Sequence, residues 1–149
     1  MHNTKTICLN MIVKNEAHIL SSTLDNLFKY ISFDYWVISD TGSTDGTQKL
    51  IKDYFSSKNI KGELFEDEWR DFGHNRTLAL QYAKGKTDYL LIFDADDSIN
   101  GDFKLPEQTV FHQDMYNFKF GTGVSYVRPL LINNMFDWRF NGVLHEYLS

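Results

Sequence analysis

Apolar runs of strand length alternate with stretches of helical period as far as Asn100, and the rhythm then changes. Residues 6–13 and 35–39 are short runs rich in aliphatic and aromatic side chains, which predicts buried strands, the first interrupted by Asn10. Residues 60–65 predict a weaker strand. Tyr89 to Phe93 is unbroken and apolar, the pattern of a strand covered on both faces in a parallel sheet. Between these runs, Ile19, Leu20, Thr23, Leu24, Leu27 and Phe28 recur at helical spacing and predict an amphipathic helix over residues 17–29. Leu50, Ile51, Tyr54 and Phe55 form the buried face of a second helix over residues 45–55. Trp69, Phe72 and Gly73 fall in a connection before a third helix over residues 75–83, with Gly85 as its C-cap.

Strands alternating with helices of this length imply a mostly parallel sheet with right-handed crossovers, so the carboxyl ends of the strands share one edge. Past Asn100, residues 115–120 alternate, Gly121-Thr122-Gly123 reads as a turn, and residues 125–132 are again strand-like. Pro129 restricts that strand to an edge or a break. Residues 136–140 predict a further strand. The fold expected is α/β: a mostly parallel sheet flanked by helices, with a small antiparallel C-terminal portion.

A chain of 149 residues suffices for one domain with a sizeable core. Its net charge of −5, without any basic array, argues against nucleic acid as the main partner. Cys8 is the only cysteine and lies in an apolar run, so a buried thiol and a reducing compartment are expected. No run approaches the ~20 apolar residues of a membrane span, and the start lacks the apolar core of a signal peptide. The expectation is a cytoplasmic protein without a transmembrane segment.

The chemistry concentrates where the fourth apolar run stops. Asp94, Asp96 and Asp97 follow it directly. Ligands of open α/β sheets sit beyond the carboxyl ends of the strands, and clustered carboxylates repel one another unless a cation or proton intervenes. Oxygen ligands of this kind suit Mg2+ or Mn2+. The competing reading is a solvated turn with a helix cap. Asp40-Thr-Gly-Ser-Thr-Asp-Gly-Thr47, after the second strand, is dense in turn formers and caps.

Taken in order, Asn-Met-Ile-Val-Lys-Asn-Glu16, the Asp40–Thr47 loop, Asn75-Arg76, Asp94-Ala95-Asp96-Asp97 and His145-Glu146 resemble the motifs of family 2 glycosyltransferases, whose fold is called GT-A. The acidic run is similar to that family's DxD motif. The resemblance implies one GT-A domain over residues 1–149, with residues 1–100 binding the donor and residues 101–149 starting an acceptor-side part that is commonly longer. It implies a hexosyltransferase-type enzyme that moves a sugar, with inversion, from a nucleotide-sugar donor such as a UDP-sugar to an acceptor hydroxyl of a glycan, lipid or protein. Mn2+ or Mg2+ would be held by Asp94, Asp96 and His145, and Glu146 would act as the base. Donor contacts would come from Val13, Asn15, Glu16, Asp40, Thr41, Arg76, Asp94 and Ala95.

Several of these residues have a plainer reading. Asp40 accepts from a uracil N–H or ribose hydroxyl, or caps its loop; many members carry two adjacent acids where this chain has Asp40-Thr41. Arg76 pairs with phosphate or base carbonyls, or is a surface arginine. Glu16 adds a carboxylate to the pocket, or stabilises a helix start. His145 and Glu146 are otherwise an ordinary surface pair. Trp69, Trp138 and Tyr147 stack on sugars or fill the core. Two other functions compete: a nucleotide-sugar-binding domain without catalysis, and a haloacid-dehalogenase-type phosphatase. The latter places its acidic motif on the first strand.

Overall fold

The first strand, β1 (Ile7–Val13), is buried at nearly every position, so both of its edges and both of its faces must be covered by other parts of the chain. A computed structural model describes residues 5–97, 99, 115–120, 126–138, 140–141 and 147–148. After β1 come α1 (Leu20–Phe28), β2 (Tyr35–Asp40), α2 (Thr47–Ser57), β3 (Gly62–Glu66), α3 (Phe72–Tyr82) and β4 (Tyr89–Ile92). They are followed by β5 (Met115–Phe120), β6 (Tyr126–Asn133), β7 (Phe140–Asn141) and β8 (Tyr147–Leu148).

The main sheet has the order β3-β2-β1-β4-β6-β5, and β7 pairs with β8 in a separate ribbon. β1 pairs in parallel with β2 on one side and β4 on the other, and β2 pairs in parallel with β3. β6 runs antiparallel to β4 and β5 antiparallel to β6, the arrangement expected from the change of rhythm after Asn100. Strand order switches direction at β1, with β2 and β3 on one side of it and β4 on the other. Right-handed crossovers therefore put α1 and α2 on one face and α3 on the other. Ring contacts between Phe28 of α1 and Phe55 of α2 join the first pair of helices. On the opposite face, the Asn10 side-chain amide donates to the Ala79 carbonyl of α3 at 2.9 Å. Asn10 thus ties β1 to a helix instead of interrupting the strand.

Some boundaries differ from the sequence pattern. α1 starts at Leu20, because the Glu16 carbonyl accepts from both Ile19 and Leu20 N–H and makes a tight first turn. α3 starts earlier than expected, at Phe72, because Asp71 caps it by accepting from the His74 N–H at 2.7 Å. Of the strand expected over residues 136–140, residues 136–138 are not extended and Phe140 pairs within β7 (Phe140–Asn141), residue 139 lying outside the described residues. Residues 134–136 turn instead: the Asn133 side chain accepts from Met135 N–H, and Trp138 Nε1 donates to the Asn133 carbonyl at 2.7 Å. Pro129 is accommodated beyond the last β4–β6 pair, beside a register shift in β5–β6. The turn at Gly121–Gly123 lies outside the described residues.

Cys8 is buried, as its place in the first apolar run predicted, and burial pushes the pKa of its thiol up to about 12. Among the described residues, no helix is long and apolar enough to cross a membrane.

One face of the core rests on Trp36 stacked against Phe55 at 4.6 Å between ring centroids. Gly62 lies directly under that indole: a Cβ there would stand 2.2 Å from Trp36 Cγ. Gly62→Ala is therefore expected to destabilise the fold by about 1–3 kcal/mol, the usual cost of overpacking. A lowered urea midpoint with an unchanged slope checks this.

Candidate functional site

The β4 ladder continues one residue past the strand, where Phe93 N–H donates to the Asn10 carbonyl, and the chain then turns through the acids. Asp97 N–H closes the turn on the Asp94 carbonyl at 3.1 Å. Carboxylate oxygens of Asp94, Asp96 and Asp97 come within 4.8 Å of one another. Repulsion at that range is roughly 1–3 kcal/mol per pair for effective dielectric constants between water and a protein surface. Arg76, projecting from α3, forms an ion pair with Asp94 and offsets part of it. Asp96 is exposed and Asp97 half-buried. The donor set, oxygen alone, fits a hard divalent ion such as Mn2+ or Mg2+.

The loops after β1 and β2 are locked to each other. Asn15 sits at φ 53°. Its N–H donates to Ser43 Oγ and its Oδ1 accepts from Thr44 N–H, both at 2.8 Å. Across the same gap, Glu16 N–H donates to Thr47 Oγ1, whose hydroxyl donates to Asp45. Asp45 also accepts from Ala17 N–H. The Thr47 hydroxyl, ahead of the backbone donors, holds the Asp45 carboxyl below its ordinary range. Much of the polarity in these two motifs is thus spent on fixing the loops.

Asp40 follows the same economy. It is buried, with Oδ1 accepting from Gly42 N–H, Ser43 N–H and Gln48 Nε2 at 2.8–3.2 Å. Its Oδ2 is buried without a hydrogen-bond partner among the described residues. Thr41, also buried, directs its hydroxyl to the Val13 carbonyl.

A cavity of about 300 Å3 opens above the ends of β1 and β2, lined by Ile12, Val13, Lys14, Glu16, Thr41, Trp69 and Phe72. Trp69 and Phe72 meet edge to face at 4.9 Å and stay 41% and 46% exposed, which is high for large apolar rings. Asn75, fully buried, holds the loop that carries Trp69. Its Oδ1 accepts from Arg70 and Asp71 N–H, and its Nδ2 donates to the Glu68 carbonyl. Asp67 fixes the same connection, donating its N–H to the Asp40 carbonyl and accepting from the hydroxyls of Ser39 and Tyr82.

The structure thus gathers Val13, Glu16 and Thr41 around one cavity. It joins Arg76 to Asp94, uses Asn15 within the loop lock, and buries Ala95. His145 and Glu146 lie outside the described residues. The sequence reading passed over Lys14 and Phe72. A trace of Phe72 was present, since it lies three residues from Trp69 with the helix-capping Asp71 between them. Trp138 stands elsewhere, in a larger hollow of about 560 Å3 formed with Leu80, Gln81, Lys84, Leu90, Asn134, Phe136 and Asp137. Among the described residues that hollow contains no acidic cluster, and its Asp137 pairs with Lys84.

Among solved structures, the chain is similar to mannosyltransferase PcManGT from Pyrobaculum calidifontis in complex with GDP-Man and Mn2+, at 25% identity and a TM-score of 0.54. It is similar also to S. aureus TarS in complex with UDP-GlcNAc, at 26% identity and a TM-score of 0.51. GalNAc-T7 with UDP, GalNAc and Mn2+ has the same fold, at 22% identity and a TM-score of 0.52, over 62% of this chain and 18% of its own. The alignments to the first two cover 63% and 64% of this chain but only 28% of each of those proteins. No curated protein matches the sequence. The description "Glycosyl transferase family 2" matches residues 8–129. With the acids just past the fourth strand of a GT-A sheet and most of its length inside that match, the chain belongs to glycosyl transferase family 2.

Proposed function

We propose that this chain binds a nucleoside-diphosphate sugar, a UDP-sugar in the first instance, and takes part in inverting transfer of the sugar to an acceptor hydroxyl. The observation that carries the reading is the shared edge: an aromatic-walled cavity over β1 and β2 and an oxygen-ligand cluster at the end of β4. A base in the first and a diphosphate at the second would lie along the crevice where strand order reverses, the usual ligand position in such sheets. The similar structures that hold GDP-Man with Mn2+ and UDP-GlcNAc support a donor of this class.

In this reading Trp69 and Phe72 take the base by its face, and the orphan Oδ2 of Asp40 accepts from a base N–H or ribose hydroxyl. A ligand that donates to a buried unpaired carboxylate oxygen removes a desolvation cost. Asp94 and Asp96, with His145, would hold Mn2+ or Mg2+, which when bound would supply Lewis-acid neutralisation of the diphosphate leaving group. Arg76 keeps the Asp94 carboxylate oriented. The acceptor oxygen attacks the anomeric carbon as the bond to the diphosphate breaks, and Glu146 takes the acceptor proton. Residues 1–100 supply the donor half and residues 101–149 begin the acceptor side. The cytoplasm is the compartment that fits the donor and the buried thiol.

Asp96→Asn keeps the side-chain shape and removes the charge. Calorimetry should show wild-type UDP affinity rising with Mn2+ and that gain lost in the variant, while metal-free UDP binding stays equal. Equal Mn2+ gains in both proteins would remove the metal assignment. Hydrolysis of a UDP-sugar to free sugar and UDP by the wild type separates a transferase from a binding module, which would bind without turnover.

Trp69→Ala should weaken UDP binding roughly tenfold or more, because base–aromatic stacking contributes about 1–3 kcal/mol. Trp69→Phe should recover much of the loss. Unchanged affinity in the alanine variant would move the base elsewhere.

A further inference from the structure

Helix α1 supplies no carboxylate to the acidic cluster and no ring to the cavity, yet it grips the acidic loop at two points. The Thr23 hydroxyl donates to the Ala95 carbonyl. Asn26, one turn further along, takes both backbone groups of Ile99: its Nδ2 donates to the carbonyl and its Oδ1 accepts the N–H, each at 2.7 Å. Residues three apart on a helix share a face, so both side chains reach the same loop. Ala95 and Ile99 bracket Asp96 and Asp97, and the Asp97–Asp94 backbone bond closes the turn between them.

The grip is anchored. Leu20, Leu24 and Leu27 of α1 are fully buried in the core, so the helix is a fixed support for the loop. Asparagine is a poor residue for a helix interior, since its side chain competes for backbone partners. At position 26 it spends that capacity on the backbone of another segment, as a neighbouring strand would.

We propose that Thr23 and Asn26 are positioning residues that pre-order the Asp94–Asp97 turn for a divalent cation and the diphosphate it accompanies. This rests on the metal-dependent donor site proposed above. Three carboxylates on a loose turn would have to be ordered at the moment of binding, and the clamp does that ordering during folding.

The test uses the full chain with Asn26→Leu, which removes both bonds at similar size, and Thr23→Val, an isostere without the hydroxyl. Leu24→Val, in the same helix but facing the core, is the control for general loosening. Free Mn2+ measured by electron paramagnetic resonance, at saturating UDP, gives the cation affinity. Both clamp variants should bind Mn2+ roughly tenfold more weakly than wild type, the lower end of the range for residues that orient metal ligands. Leu24→Val should bind it as wild type does, and metal-free UDP affinity should be unchanged in all. Amide hydrogen exchange without metal should show Ile99 protected in wild type and at least tenfold faster in Asn26→Leu. If Asn26→Leu does not fold, Thr23→Val decides by its Mn2+ affinity. Wild-type Mn2+ affinity in the folded clamp variants would overturn the proposal while leaving the metal site standing. A wild-type protein that binds no Mn2+ would overturn both.

Discussion

The parallel pairing of β1 is the constraint from which the rest of the structure follows. It is buried on both faces and paired along both edges, and its two neighbours stop at different heights. β2 pairs with it to the end, Val13 opposite Asp40, whereas the last β4 pair is Ile92 opposite Asn10. Met11, Ile12 and Val13 therefore run past β4, and the chain leaving β4 turns beside them instead of pairing. Ile12 and Val13 form part of the cavity wall, and the acids follow the end of β4. A buried strand cannot carry three carboxylates, so β4 ends where its sequence turns acidic, and the early end makes room for a ligand.

The polar groups divide into those that hold the edge and those that face outward. Most of the polarity of the loops after β1 and β2 is consumed internally by bonds through Asn15, Asp45 and Thr47. Asn75 and Asp67 do the same for the connection into α3, and Thr23 and Asn26 for the acidic turn. The opposite edge offers a contrast. There Asp34 and Asp88 accept from the N–H groups of Ile7 and Thr6 at the start of β1, and among the described residues neither belongs to an acidic cluster. Among the described residues, acids occur at both ends of the sheet and gather into a cluster at the carboxyl end.

What was legible in the sequence was periodic or contiguous. Strand and helix faces followed from spacing, the parallel sheet from alternation, and the acidic cluster from its place after an apolar run. What was hidden depended on contacts distant in the chain. Asn10 reads as a flaw in a strand until α3 supplies a carbonyl for it, and Asn26 as a weak helix residue until Ile99 arrives. Asp40 offered two roles; the structure gives one oxygen to the loop and leaves the other without a protein donor among the described residues. Arg76 was expected at phosphate or base and stands against Asp94. Phe72 was read as connection because the Asp71 cap that starts its helix early works through a single side-chain bond.

The central claim is that one edge of this sheet holds the cation and the nucleotide together. Paramagnetic broadening of backbone amide resonances by Mn2+, recorded with UDP present, tests it most directly. The account predicts broadening centred on residues 94–97 and extending to residues 13–16, 41–43 and 69–76, with Ile7, Tyr35 and Tyr89 at the far edge left sharp. Broadening centred on Asp34, Asp88 or the hollow at residues 134–138, or none anywhere, would contradict it.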